Sequence, residues 1–250
     1  MLRVACLCPT YKRPHMLANA LACFRSQRHA VKKLFVYDDA GQHAGMVSCD
    51  LDVIRETVWR PIVEKYAEMV RQALEWGADV LVPFEDDDGY HPDHLSVIAD
   101  AVGKGVHFFQ PSHVFSNYDL PKDGSLQIEE TGGRFHASWA FTADAWHRLA
   151  QERRGRACLY GDPGDLMFDQ KLGADLRRLM GGEPWPVDPP TYVYRWGSGG
   201  GYHGSQAGQS GFDFLSKQLQ TWPAPYVGDL VPRFDAETVA IYSRWGFKVG

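Results

Sequence analysis

An α/β fold, with a mostly parallel central sheet and helices on both faces, is what this sequence predicts, and three observations predict it. Strand and helix signals alternate over the first hundred of its 250 residues. The first, second and central strand signals each end in a polar cluster, as strands of an open parallel sheet do when a ligand sits beyond their carboxyl ends. The chain is also long enough to bury a proper core as a single domain.

The elements follow in order. Leu2 to Cys8 is an apolar run stopped by Pro9. Leu17, Ala20, Leu21 and Phe24 recur at helical spacing, with Pro14 near the start. Lys33 to Tyr37 reads as a second strand and Leu51 to Ile54 as a short third. Pro61 opens a helix carrying Ile62, Tyr66, Met69, Val70, Ala73 and Leu74 on its apolar face and ending at Gly77. Asp79 to Phe84 is a buried strand, Pro92 opens a helix with Leu95, Ile98, Ala99 and Val102, and Gly105 to Gln110 is again a strand. Beyond Pro111 the loops lengthen and the expected strands shorten to Arg134–Phe141 and Thr191–Tyr194, with helices at Ala143–Glu152 and Asp165–Met180, all built onto the same sheet. Seven of the fifteen residues from Gly197 to Gly211 are glycine, which predicts a mobile segment, and the aromatic tail from Phe212 is expected to pack on the body.

Composition narrows the function classes. Hydrophobic residues are 44% and charged residues 23%, ordinary for a soluble globular chain, and a net charge of −5 gives no electrostatic reason to bind nucleic acid or a membrane surface. The cysteines form no C-x-x-C pair, so buried thiols in a reducing compartment are expected. With neither a signal peptide nor an apolar run of roughly 20 residues, the expected location is cytoplasmic.

Glu85-Asp86-Asp87-Asp88, directly behind the central strand, carries the most chemical information. Two unit charges ~4 Å apart repel by about 4 kcal/mol at an effective dielectric of ~20, so four successive acids call for a cation. Hard oxygen donors suit Mg2+ or Mn2+, and such ions bring phosphate with them. A solvated acidic turn is the alternative. Two further polar clusters, Pro9-Thr10-Tyr11-Lys12-Arg13 and Asp38-Asp39, follow the first and second strands and predict one shared site for a metal and a phosphate.

Val4-Ala5-Cys6-Leu7-Cys8-Pro9-Thr10-Tyr11-Lys12-Arg13-Pro14, Phe35-Val36-Tyr37-Asp38-Asp39-Ala40-Gly41, and Phe84-Glu85-Asp86-Asp87-Asp88 with Pro92 and Leu95 together resemble the motifs of family-two glycosyltransferases of the GT-A fold. Their order and spacing match as well, about thirty residues between the first two and about fifty to the third. The resemblance is clear over residues 2–100, patchy to about 205 and absent beyond. It implies a Rossmann-like three-layer sandwich: a single GT-A domain over 1–250, with a nucleotide-sugar half at 1–110, an acceptor half holding the base at 111–205, and a C-terminal extension at 206–250.

The resemblance further implies a metal-dependent, inverting, hexosyltransferase-type enzyme that uses a nucleotide sugar, a UDP-sugar first, with Mn2+ or Mg2+. Pro9, Thr10, Tyr11, Arg13 and Asp39 would hold the nucleotide, and Glu85 or Asp86 would contact ribose or metal-bound water. Asp87 would ligate the metal, with the loop histidine His203 as a further ligand. Glu85 stands where the family has Asp, and Asp38 is expected to be structural. The frame Gly164-Asp165-Leu166-Met167-Phe168-Asp169-Gln170-Lys171 is similar to the family's catalytic-base segment, with Gly164 in place of Glu. Asp165 is then the expected base, Asp162 its alternative, and helix capping the bland role for either. Arg195 would neutralise phosphate. His136, Ser138 and Trp139, on the expected strand, and Trp185 and Trp196 would face an acceptor, although a strand tryptophan is commonly core, as Trp146 is expected to be. The acceptor class stays open among a saccharide, a small molecule, a protein and a modified nucleic acid.

Three other readings compete. A nucleotidyltransferase would need a glycine-rich loop after the first strand, and residues 8–14 contain no glycine. A catalytically inactive nucleotide-sugar-binding module is supported by Gly164. An EF-hand fails because Tyr90 occupies a ligand position.

Overall fold

Odd and even residues of the first strand face opposite ways, and this alternation organises the molecule. The computed structural model describes residues 1–10, 14–39, 41, 51–55, 60–116, 127–165 and 167–194. A six-stranded sheet forms from β1 (Val4–Thr10), β2 (Lys32–Asp38), β3 (Leu51–Arg55), β4 (Val80–Pro83), β6 (Phe108–Phe109) and β9 (Ala140–Thr142), in the order β3-β2-β1-β4-β9-β6. β1 pairs in parallel with both β2 and β4, and β3 extends the parallel run, whereas β9 lies antiparallel to β4 and β6.

Even positions Val4, Cys6, Cys8, Leu34, Val36, Val80, Val82 and Phe84 form one core with α1 (Pro14–Ser26) and α3 (His94–Gly103). Odd positions Ala5, Leu7, Phe35, Tyr37 and Leu81 form a second core with α2 (Ile62–Glu75), α4 (Ala143–Glu152) and α5 (Phe168–Met180). Period-two alternation between two buried faces is why the strands read as continuous apolar runs. Cys6, Cys8, Cys23 and Cys158 are buried thiols outside any disulfide, as expected, and burial pushes the Cys6 thiol up, away from reactivity. Trp146 is core, beside Phe141.

Two expectations are corrected. The second half does not simply extend the main sheet. β5 (Gly89–Tyr90), β10 (Tyr192–Tyr194), β7 (His113–Ser116) and β8 (Gln127–Glu130) make a separate four-stranded sheet. The expected strand Arg134–Phe141 is also broken. Phe135 takes a left-handed conformation (φ 64°), a 3-10 turn runs over His136–Ser138, and only Ala140–Thr142 remain strand. Trp139 therefore does not face an acceptor. It is buried, its Nε1 donates to the Arg134 carbonyl at 3.1 Å, and its ring lies so near Gly173 that a Cβ there would sit 2.5 Å away. Ser138 is buried too, its hydroxyl donating to the Phe135 carbonyl.

None of the helices among the described residues is long and apolar enough to cross a membrane. The glycine-rich segment with His203, the aromatic tail, Tyr11, Arg13, Arg195 and Trp196 lie outside the described residues.

Candidate active site

The same alternation delivers the acids. Asp39 follows Phe35 and Tyr37 on the odd face of β2, and Glu85 follows Leu81 on the odd face of β4, so both emerge beside α2. There Lys65 Nζ meets Asp39 Oδ2 at 2.7 Å, and the Tyr66 hydroxyl donates to Glu85 Oε1 at 2.9 Å. Adjacent residues of one helix thus hold acids from two different strand ends, which brings the two clusters to one place. The Arg60 backbone N–H also donates to Asp39 Oδ2, at 2.9 Å. Asp39 Oδ1 is buried with no hydrogen-bond partner among the described residues.

Thr10 and Asp86 emerge on the even face, where the Thr10 hydroxyl donates to Asp86 Oδ2 at 2.7 Å. Expected as donor contacts, these two side chains engage each other and are buried. Pro9 is paired with Tyr37 in the β1–β2 register, and Asp38, expected to be structural, is fully buried opposite Thr10. Asp88 accepts from the Tyr192 hydroxyl of β10 at 2.5 Å, tying the acid run to the second sheet. Burial and the charge of Asp88 push the Tyr192 phenol well up, so it remains a donor.

A solvated turn is excluded by exposure: Asp86, Asp87 and Asp88 are 0%, 2% and 0% exposed. One carboxylate oxygen each from Glu85, Asp87 and Asp88 lies within 4.8 Å of the others. Oxygens opposite one another on Mg2+ are about 4.2 Å apart, twice its ~2.1 Å bond length. Of three oxygens on one such ion at most one pair is opposite and the others are about 3.0 Å apart, so the set is gathered within reach of a divalent ion that would draw it in further. All three donors are hard carboxylates, which suits Mg2+ or Mn2+ over softer metals. The residues fit the ion.

Glu85 is further enclosed. Its N–H donates to the Tyr90 hydroxyl at 2.7 Å, and His136 Nδ1 lies 3.3 Å from Oε1. The opposite ring nitrogen, Nε2, is 2.6 Å from the Tyr160 hydroxyl. The Phe168 ring, first in α5, packs 5.6 Å from His136, so the start of α5 reaches the edge of the acid cluster. Asp165 lies just ahead of it. Asp165 Oδ2 pairs with Lys171 Nζ at 2.7 Å, and Oδ1 accepts the Met167 N–H at 3.0 Å. The Lys171 hydrogen bond, with that of Met167, holds the Asp165 carboxyl below the usual range. Asp162 is exposed, and its carbonyl accepts the Asp165 N–H at 3.0 Å. Gly164 has φ +84°, a left-handed conformation that a glutamate would adopt only under strain. Trp185 is partly buried, with Lys104 Nζ 5.5 Å from its ring.

Sequence reasoning missed Lys65, Asp88 as a candidate metal donor, and the Tyr66–His136–Tyr160 group. A signal existed for Lys65: it falls on the apolar face of its helix, between Ile62 and Met69, where a lysine stays only if paired.

No protein-family profile matches the chain, and no curated protein sequence matches it. Solved structures do. TarS residues 1–349 of S. aureus superimpose with a TM-score of 0.57 at 10% identity, over 78% of this chain and 60% of that one. The mannosyltransferase PcManGT of Pyrobaculum calidifontis, in complex with GDP-Man and Mn2+, gives 0.53 at 16% identity, over 91% and 68%. The fold is GT-A. The same TarS fragment in complex with UDP-GlcNAc gives 0.53 at 12% identity, over 77% of this chain and 58% of that one. This chain spans about 60% of the length of the TarS fragment it matches. At such identities the likeness concerns architecture, and the α/β layout with a mostly parallel sheet agrees with it.

Proposed function

We propose that this GT-A chain is a metal-dependent, inverting glycosyltransferase of hexosyltransferase type, which moves a sugar from a nucleotide donor to an acceptor hydroxyl. The observation that carries the reading is the set of partly buried Glu85 with buried Asp87 and Asp88, their oxygens within 4.8 Å at the end of the central strand beside Asp39. Structures of similar architecture hold UDP-GlcNAc in one case and GDP-Man with Mn2+ in another, which supports a nucleotide sugar as donor. A UDP-sugar is our first candidate.

In this reading residues 1–110 bind the donor, residues 111–205 bind the acceptor and supply the base, and residues 206–250 form an extension. Asp39 accepts from the nucleotide through Oδ1 while Lys65 holds Oδ2. Tyr11 and Arg13 complete the nucleotide side, Glu85, Asp87 and Asp88 hold Mn2+ or Mg2+, and His203 adds a metal contact. A bound divalent ion supplies positive charge to the departing diphosphate. Asp165 takes the proton from the acceptor hydroxyl as the new C–O bond forms and the bond from the anomeric carbon to phosphate breaks on the opposite face. A positioned base of this kind typically contributes about 10²–10⁴-fold.

The test is a titration of the full chain with Mn2+ and UDP or GDP, together and separately. Joint binding is expected, lost in Asp87→Ala with melting behaviour preserved. An Asp87→Ala variant that binds as the parent does would overturn the assignment. The binding-only alternative draws on Gly164, whose backbone excludes the family's Glu, and on the ion pair that occupies Asp165. Donor binding without hydrolysis or transfer across acceptor panels would favour it.

A further inference from the structure

Glu85 has one more rotatable bond than the aspartate its family places there, and a wandering carboxylate makes a weak ligand. Here it is fixed. Tyr66 donates to Oε1 at 2.9 Å, and His136 Nδ1 lies 3.3 Å from the same oxygen. An ionised carboxylate only accepts, so Nδ1 carries a hydrogen, and in the neutral imidazole Nε2 then accepts from the Tyr160 hydroxyl 2.6 Å away. The imidazole is also gripped by packing. It stands edge-on to Tyr66 (5.1 Å, 89°), Trp139 (5.5 Å, 81°) and Phe168 (5.6 Å, 76°), while Tyr66 and Tyr160 stack at 4.6 Å. A phenol is an O–H donor at neutral pH, so both hydroxyls can donate to the acceptors they face.

The backbone gives an independent sign. Phe135 stands in the left-handed region, at φ 64° and ψ 64°, which a bulky residue occupies only when its surroundings impose it. Its carbonyl accepts both the N–H and the hydroxyl of Ser138, at 2.9 and 2.7 Å. That turn replaces the expected strand and places His136 against Glu85.

We propose that Tyr66 and His136 are positioning residues that fix Glu85 as a ligand for the divalent cation, with Tyr160 orienting the imidazole. The inference rests on the transferase reading of the acid cluster and adds to it a reason for the glutamate. An aspartate at position 85, though usual for the family, would hold its carboxylate about one C–C bond, ~1.5 Å, short of these donors. It would therefore bind metal less well.

The experiment titrates Mn2+ into the full chain, follows free ion by its electron paramagnetic resonance signal with and without UDP, and melts each variant. Tyr66→Phe keeps the stacked ring and removes only the donor. It should weaken Mn2+ about 10–100-fold, the usual range for losing an outer partner of a metal ligand. His136→Leu should do the same, and His136→Asn, which restores an N–H near Nδ1, should recover most of the affinity. Glu85→Asp should lose a similar factor, and the Tyr66→Phe/Glu85→Asp pair should be no worse than either single change. A merely structural role would give neither rescue by Asn at His136 nor this non-additivity between Tyr66 and Glu85. Should the parent bind Mn2+ and Tyr66→Phe bind it equally, the inference fails while the transferase reading stands. Should the parent bind no Mn2+ even with UDP, both fall.

Discussion

Asp165 is held by the very group that would limit it as a base. The Lys171 hydrogen bond, the larger cause, and the Met167 N–H keep its carboxyl ionised to lower pH than usual. A carboxylate with a depressed pKa loses function only when pH falls through that low value. Lys171→Met should raise the pKa toward normal and so move the acidic limb of the kcat/KM profile to higher pH. An unmoved limb would show that another group accepts the proton. Asp38, Asp39, Glu85 and Asp86 illustrate a simple rule at this scale: strand parity assigns each acid to a helix face before any ligand is considered. Asp39 and Glu85 go to α2, while Asp86 goes with Thr10 to the α1 side.

At the scale of elements, α5 packs closely because Gly173 has no side chain to meet Trp139, where a Cβ would stand 2.5 Å from the ring. Gly173→Ala should lose roughly 1–2 kcal/mol, since overpacking costs about 1–3 kcal/mol while alanine's helix propensity returns up to ~1 kcal/mol. Urea denaturation measures this, and an unchanged midpoint would show that α5 can shift without cost. The elements legible in the sequence were those with long periodic patterns. Ala143–Glu152 has the expected bounds, Ile62–Glu75 falls within two residues of expectation, and the first four strands follow their apolar runs. Of the second sheet the strand at Thr191–Tyr194 was expected, but the sheet itself was not legible, because strands of two to four residues from segments as distant as Tyr90 and Tyr192 pair through tertiary contact and leave no period to read. The turn at His136 was hidden for a related reason. Phe135 lies in a run that local preference would extend, and packing imposes its positive φ.

Across the whole molecule, His94 ties α3 to the second sheet through a 2.9 Å contact between Nδ1 and Thr191 Oγ1, beside the rings of Tyr90 and Tyr192. Burial, with a smaller effect from His91, holds its pKa down to about 3 from an ordinary 6.5. Between those values the unfolded chain takes up a proton that the folded chain refuses, so stability is full above pH ~6.5 and falls as pH drops toward 3. The loss from this group is on the order of 3–5 kcal/mol at the acid end, at about 1.4 kcal/mol per unit. His94→Asn should flatten this part of the stability curve, and parallel curves for parent and variant would refute the assignment.

The acid run is also a seam. Asp86 is bonded to β1 of the large sheet through Thr10, and Asp88 to β10 of the small sheet through Tyr192. A descendant without the proposed transferase activity would still need both residues to keep its two halves joined, so their survival in related sequences testifies to architecture. Loss of chemistry would be written first at Glu85 and Asp87, and those are the positions to inspect when sorting working relatives from retired ones.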